Sequence, residues 1–129
     1  MNFAITLLAG PQDPAARSAL EFARAVIQAG HQITRLFLYR DAVQIASALS
    51  VQPQDEQDIS AQWREFILSQ QLDAVVCIAA ALRRGVLNDA EATRWQKPAA
   101  STGTPYDLSG LGQWVDVLQT ADRAVTFGT

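Results

Sequence analysis

Short apolar runs and amphipathic segments alternate along this chain. Apolar runs rich in β-branched or aromatic residues cover residues 3–8, 33–39 and 74–78, and a final run of alternating character covers residues 123–127. Short, nearly continuous apolar runs are typical of strands that are buried on both faces of a parallel sheet. The pattern therefore predicts four strands.

The segments between these runs have apolar residues at helical spacing, which predicts helices. The first helix should begin near Pro14 and end at Gly30, because proline fits a first turn and glycine fits a helix end. The other predicted helices and their caps are residues 42–49, residues 59–70 after Asp58, residues 79–84 before Gly85, a short helix from Asn88 or Asp89 through Arg94, and residues 110–120 after Ser109. Two apolar faces are predicted to be buried, one made of Ile59, Trp63, Phe66 and Ile67 and one made of Leu111, Trp114, Val115 and Leu118.

Helices between successive strands indicate an α/β fold. We expect a three-layer α/β/α sandwich with a mainly parallel sheet of four to five strands, in one domain that spans residues 1–129. Residues 51–58 are polar and predict a loop, and residues 97–107 form the longest irregular stretch. Long loops in compact domains are often functional or disordered.

Charge and cysteine content narrow the function classes. The net charge is −3 and Lys97 is the only lysine, which argues against a nucleic-acid or anionic-membrane surface. One cysteine cannot form an internal disulfide, and the first residues lack the basic start of a signal peptide. These features predict a cytoplasmic protein with no membrane partner and no direct contact with nucleic acid.

The sequence lacks the residues that several common types of functional site require. One cysteine and one histidine cannot form a zinc site, and no Gly-x-Ser-x-Gly sequence is present. Gly10 follows the first strand, but the chain lacks the Lys-Ser/Thr pair of a phosphate-binding loop. His31 has no visible partner as a catalytic base. We therefore expect neither a metal nor a cofactor.

Cys77 lies at the predicted switch from the third strand to a helix. Ligands and chemistry collect at the carboxyl ends of parallel strands, and a helix start favours a thiolate over a thiol. Arg83 and Arg84 follow within two turns. A lone cysteine in an apolar run is also a common packing residue, so a structural role for Cys77 stays open beside a catalytic one.

A single thiolate can accept a sulfane sulfur, hold it as a persulfide and pass it to another thiol, in a step that resembles thiol–disulfide exchange. In this reading Cys77 is the nucleophile. The backbone N–H groups of Ile78, Ala79 and Ala80 form a supporting anion site, and Arg83 and Arg84 add positive potential or contact partners.

The chain also resembles the DsrE family, and within it the branch that supplies the D subunit of a sulfur relay. The resemblance covers nearly the whole chain, residues 3–127, and its most specific part is the run from Cys77 to Val86. The matching stretches are Gly10-Pro11, Phe22-Ala23 with Ala25, Gly30-His31, Phe37, Tyr39-Arg40, Cys77 with residues 79–86, residues 108–112 and Asp122-Arg123.

The resemblance implies a sulfurtransferase that accepts sulfane sulfur as a persulfide on Cys77. It implies a TusA-like donor, a TusE-like acceptor and 2-thiolation of the tRNA wobble uridine. It also implies a heterohexamer with TusB-like and TusC-like subunits, two copies of each. The alternatives are a DsrE-type carrier in dissimilatory sulfur oxidation, a non-catalytic assembly module in which Cys77 is structural, and a small flavodoxin-like binding module.

Overall fold

The computed structural model describes all residues, Met1–Thr129, as an α/β fold. Its strands are β1 (Asn2–Leu7), β2 (Gln32–Leu38), β3 (Ala74–Cys77), β4 (Tyr106–Ser109) and β5 (Arg123–Phe127). Its helices are α1 (Pro14–Gln28), a 3-10 helix (Arg40–Ala46), α2 (Ile59–Gln70), α3 (Ile78–Arg83), α4 (Asp89–Arg94) and α5 (Gly112–Thr120). No helix is both long and apolar enough to cross a membrane.

The five strands form one parallel sheet in the order β4-β3-β2-β1-β5. From β1 to β4 the chain always steps toward the same edge, so right-handed crossovers place α1 and α2 on one face. The last connection returns across the sheet to β5 and therefore places α5 on the other face. The predicted three-layer sandwich with a parallel sheet is confirmed.

Side-chain contacts identify the two faces of the sheet. Phe3 of β1 packs edge-on against Phe22 of α1, with ring centroids 5.8 Å apart. Thr6, which points the opposite way from the same strand, accepts a hydrogen bond of 2.8 Å from Trp114 Nε1 of α5. Trp63 of α2 donates from Nε1 to the Ala16 carbonyl of α1 at 3.1 Å, which joins these two helices side by side.

Local signals in the sequence set most of the helix ends. Asp58 caps α2, as predicted, and Asn88, one of the two candidates, caps α4; each accepts a hydrogen bond from a backbone N–H of the first turn. Gly30 and Gly85 follow α1 and α3 with φ of +84° and +71°. That left-handed conformation favours glycine and stops a helix.

The prediction missed the fourth strand of the sequence. Tyr106–Ser109 forms β4, so part of the expected irregular stretch is regular and Ser109 ends a strand. Helix α5 begins at Gly112, and its capping residue Leu111 makes no side-chain cap. Ser109 as a helix cap is therefore wrong, because its backbone is already paired with β3.

Two further details differ from the sequence prediction. The helix expected at residues 42–49 is a 3-10 helix that ends at Ala46. The predicted burial of Leu111 and Val115 is also wrong, since they are 43% and 46% exposed, whereas Val117 is buried. Two of the apolar residues predicted for the buried face of α5 are therefore not covered by another element.

Candidate functional site

Cys77 is the last residue of β3 and the residue that caps α3. Strand β3 lies between β2 and β4, and Cys77 pairs in register with Ser109 at the end of β4. The predicted switch from strand to helix is confirmed, although it falls directly after Cys77 rather than after Ile78. The sulfur therefore belongs to the carboxyl edge of the sheet, where parallel α/β folds place their ligands.

The register also assigns Cys77 to one face. Phe37 packs against Trp114 of α5, and Phe37 pairs with Val75. Because side chains alternate along a strand, Val75 and Cys77 point toward the face that α5 covers. Cys77 is only 2% exposed and belongs to the continuous hydrophobic core.

The start of α3 follows Cys77 directly along the chain. Ile78, Ala79 and Ala80 are its first three residues, and first-turn N–H groups have no partner within a helix. The Cys77 side chain makes no capping hydrogen bond to them. The predicted anion-binding groups therefore follow the sulfur directly along the chain, without bonding to it in this state.

The two arginines have different surroundings. Arg84 donates from Nε to Asp41 Oδ1 at 3.0 Å and from Nη1 to the Ala80 carbonyl at 3.1 Å. These bonds tie α3 to the 3-10 helix. Arg83 is exposed and lines an open, largely apolar groove of about 740 Å³ with Leu82 and Trp95. The structure thus places Arg83 and Arg84 on the helix that follows Cys77, with Arg84 already paired.

His31 lies far from this site. It stands just before β2, at the amino edge of the sheet, and its Nδ1 is 3.0 Å from the Met1 amino group. Cys77 is at the carboxyl edge of a parallel neighbour. The structure does not bring this histidine to the thiol. It also contains no group of three or more His, Cys, Asp or Glu residues that could hold a metal ion.

Sequence reasoning missed two residues of the site, Asp41 and Ser109. Asp41 binds Arg84 across 43 positions of the chain, and no local pattern gives such a pairing. Ser109 did have a signal, because buried Tyr106 and half-buried Leu108 alternate with Asp107 and Ser109 at the period of a strand. The strong capping propensity of Ser109 competes with this strand signal in the sequence.

Comparisons with known proteins agree on a family. Residues 1–127 match the DsrE/DsrF-like family. "Sulfurtransferase TusD homolog" of Pseudomonas aeruginosa is 56% identical over 128 residues, which are 99% of this chain and 98% of that protein. "Putative sulfurtransferase DsrE" of Allochromatium vinosum is 43% identical over 99% of both chains. "Sulfurtransferase TusD" of Salmonella arizonae is 38% identical over 98% of this chain and 100% of its own length.

A solved structure supports the architecture. The crystal structure of the ychN protein from E. coli superposes with a TM-score of 0.78 and covers 98% of this chain and 99% of its own. Its sequence identity is 19%, so this similarity supports the fold alone.

Proposed function

The chain belongs to the DsrE/DsrF-like family, and from that premise we propose that this sulfurtransferase carries sulfane sulfur as a persulfide on Cys77. The observation that supports the proposal most is the place of the only thiol, at the carboxyl end of β3 and directly before the first turn of α3. That is where an attacking anion gains most from unpaired N–H groups.

The transfer step conserves atoms and electrons. The Cys77 thiolate attacks the outer sulfur of a donor persulfide, R–S–SH. A new bond forms between the two sulfurs, the bond inside the donor breaks, and the donor leaves as the thiolate R–S⁻ while the proton stays with the transferred sulfur. Attack by an acceptor thiolate on the outer sulfur of the Cys77 persulfide repeats the exchange and regenerates the Cys77 thiolate. No metal, base or external oxidant takes part.

Residues around the thiol have supporting roles in this proposal. The N–H groups of Ile78, Ala79 and Ala80 stabilise the thiolate and the persulfide anion when the sulfur turns toward them. Arg83, which is exposed on the same helix, attracts an anionic donor or contacts the partner that brings it. Arg84 keeps α3 in place through Asp41.

Burial of Cys77 adds a requirement. A sulfur that is 2% exposed cannot be reached by a protein-bound persulfide unless the cover moves. The segment between β4 and α5 is the mobile part in this proposal, because it follows Ser109, the strand partner of Cys77, and its Leu111 is exposed and makes no side-chain cap for α5. Docking of a partner on this apolar surface would open the path to the sulfur.

The relay proposed around this step is the one that the resemblance implies. A TusA-like protein is the donor, a TusE-like protein is the acceptor, and the sulfur ends in 2-thiouridine at the tRNA wobble position in the cytoplasm. TusB-like and TusC-like chains complete a heterohexamer with two copies of each subunit. The net charge of −3 supports a subunit that hands on sulfur without binding the tRNA itself.

The second candidate is a carrier in dissimilatory sulfur oxidation. The specific observation in its favour is the 43% identity to the Allochromatium vinosum protein. The chemistry on Cys77 would be the same and only the partners would differ. Expression of this chain in cells that lack their own D subunit separates the two, since restored 2-thiouridine in tRNA digests supports the first role and its absence favours the second.

Intact-mass measurement tests the step itself. The native chain is incubated with a persulfide donor, alone and with TusB-like and TusC-like subunits, beside Cys77→Ser. We expect one added sulfur atom that reductant removes and that the variant never gains. Thermal unfolding of Cys77→Ser checks that its fold survives. A chain that gains no sulfur either alone or with partners would assign Cys77 to packing and the protein to assembly.

A further inference from the structure

A cavity of about 240 Å³ lies on the other side of the sheet from Cys77. Its walls are the first turns of α2, the chain that follows the 3-10 helix and the first residue of β4. Asp58, Ser60 and Arg64 contribute from the helix, Tyr106 from the strand and Ser50 from the connecting chain. Nothing in the proposed sulfur transfer uses this cavity.

Two hydroxyl groups in its wall are buried without a partner. Ser60 is 7% exposed and Tyr106 is 5% exposed, and neither Ser60 Oγ nor the Tyr106 hydroxyl forms a hydrogen bond with another group of the protein. A buried polar group that bonds to nothing is uncommon, because it loses its hydrogen bonds to water on folding. Two such groups on residues that line the same cavity point to a polar ligand as their partner.

The free groups of the cavity are hydrogen-bond donors. Arg64 makes no ion pair, and its guanidinium has five N–H donors. Burial raises the pKa of the Tyr106 phenol, while the charge of Arg64 opposes this rise, so the phenol keeps its proton near neutral pH. Asp58 is the only carboxylate in the wall, and its Oδ1 already accepts from the Ala61 N–H at 2.9 Å.

We propose that this cavity binds a small oxyanion, either a tetrahedral inorganic ion or the carboxylate of a small metabolite. Arg64 supplies the positive charge, and the Ser60 and Tyr106 hydroxyls donate to the oxygens. The start of α2, a helix of 12 residues, adds the N–H groups of Ile59 and Ser60, which have no partner within the helix, whereas the Ala61 N–H is already bonded to Asp58. The volume accepts an ion or a small acid and excludes a nucleotide.

The site is separate from the thiol. Tyr106 pairs with Ala74 at the start of β3, whereas Cys77 is three residues later, about 10 Å along the strand. An odd separation also places their side chains on opposite faces. Failure of sulfur transfer and failure of oxyanion binding can therefore be told apart.

Amide NMR of the full chain tests the proposal. Sodium sulfate, phosphate and acetate are titrated separately at constant ionic strength with chloride as the balancing ion. We expect saturating shifts for the amides of Ser60, Ala61 and Tyr106 and none for Cys77. Saturation by sulfate or phosphate assigns the site to tetrahedral ions, and saturation by acetate alone assigns it to carboxylates.

Three variants show whether the named groups are responsible. Arg64→Gln and Tyr106→Phe should each weaken binding at least tenfold. Arg24→Gln removes another exposed helix arginine, in α1, that makes no ion pair, and it should leave binding unchanged. Shifts that never saturate with any of the three anions, or equal affinities in Arg64→Gln and Arg24→Gln, would overturn the proposal.

Discussion

Cys77 and Tyr106 occupy opposite ends and opposite faces of the same strand pair, β3 and β4, and both are buried. Their burial has different physical meanings. A thiol is a weak hydrogen-bond donor that behaves as a small apolar group, so the core accepts Cys77 without a partner. A phenol is a strong donor and acceptor, and the Tyr106 hydroxyl has no hydrogen-bond partner within the protein.

Burial therefore raises a different question at each residue. At the Cys77 end the question is access, because the proposed sulfur transfer requires a partner to reach a buried sulfur. At the Tyr106 end the question is the hydrogen-bond partner, because folding removes the phenol hydroxyl from water and the protein supplies no partner. The first question points to movement of the chain, and the second points to a ligand.

The largest expected effect concerns access to Cys77. The isolated native chain should react with a bulky thiol reagent at least 100-fold more slowly than the urea-unfolded chain, because the sulfur is 2% exposed. Absorbance of the released chromophore measures both rates. Addition of TusB-like and TusC-like subunits should accelerate the native reaction. Equal native and unfolded rates would show that the sulfur is already open and would end the contrast with Tyr106.

The two ends of the strand pair also differ in how well they can be predicted from the sequence. Cys77 was found because it is the only thiol and stands at a switch between two periodicities, which is a local signal. Tyr106 gave none, since its cavity is built from three segments that are distant along the chain. The strand that begins at Tyr106 was missed because its four residues follow a long irregular stretch and end in a good capping residue.

Helices α2 and α5 also differ in how well the sequence predicts them. The bounds of helix α2 are as predicted, because Asp58 caps its start and an apolar stripe runs along it. The exposed side of α5 could not be predicted, because amphipathic spacing shows which residues are apolar and not whether a second layer covers them. Leu111 and Val115 therefore looked like core residues in the sequence.

A second prediction compares Tyr106 with a buried polar ring that does have a partner. Trp63 is fully buried on the same side of the sheet and donates to the Ala16 carbonyl. Trp63→Phe should lower the free energy of unfolding by about 2 kcal/mol, from lost volume and a lost hydrogen bond. Urea denaturation followed by circular dichroism measures the change. A loss below about 0.5 kcal/mol would show that the bond to Ala16 contributes little.

The third prediction removes the unpartnered hydroxyl. In buffer without sulfate, phosphate or carboxylates, Tyr106→Phe should be neutral or stabilising by up to about 1 kcal/mol, because it deletes a polar group that folding leaves unsatisfied. Urea denaturation beside Trp63→Phe measures it. A loss of more than 1 kcal/mol would mean that the phenol has a partner inside the protein.

Alkaline pH gives the same hydroxyl an independent signature. Burial raises the pKa of Tyr106 in the folded chain above its ordinary value near 10. Above about pH 10 the unfolded chain loses this proton while the folded chain keeps it. The free energy of unfolding should therefore fall with rising pH, by about 1.4 kcal/mol per unit from this group. The difference between the wild type and Tyr106→Phe isolates this contribution, and parallel pH curves would contradict it.

The smallest expected effect compares an arginine at each end. Arg84, near Cys77, is paired with Asp41, but Asp41 is 66% exposed, so Arg84→Gln should lower the free energy of unfolding by only about 0.5 kcal/mol. Arg64, beside Tyr106, has no ion pair to lose, and Arg64→Gln should change stability by less than that in anion-free buffer. Sulfate should then stabilise Arg84→Gln as it stabilises the wild type and should leave Arg64→Gln unaffected, which thermal unfolding with and without the anion measures. An equal response of the two variants would remove the distinction between an arginine that holds the fold and one that is free for a ligand.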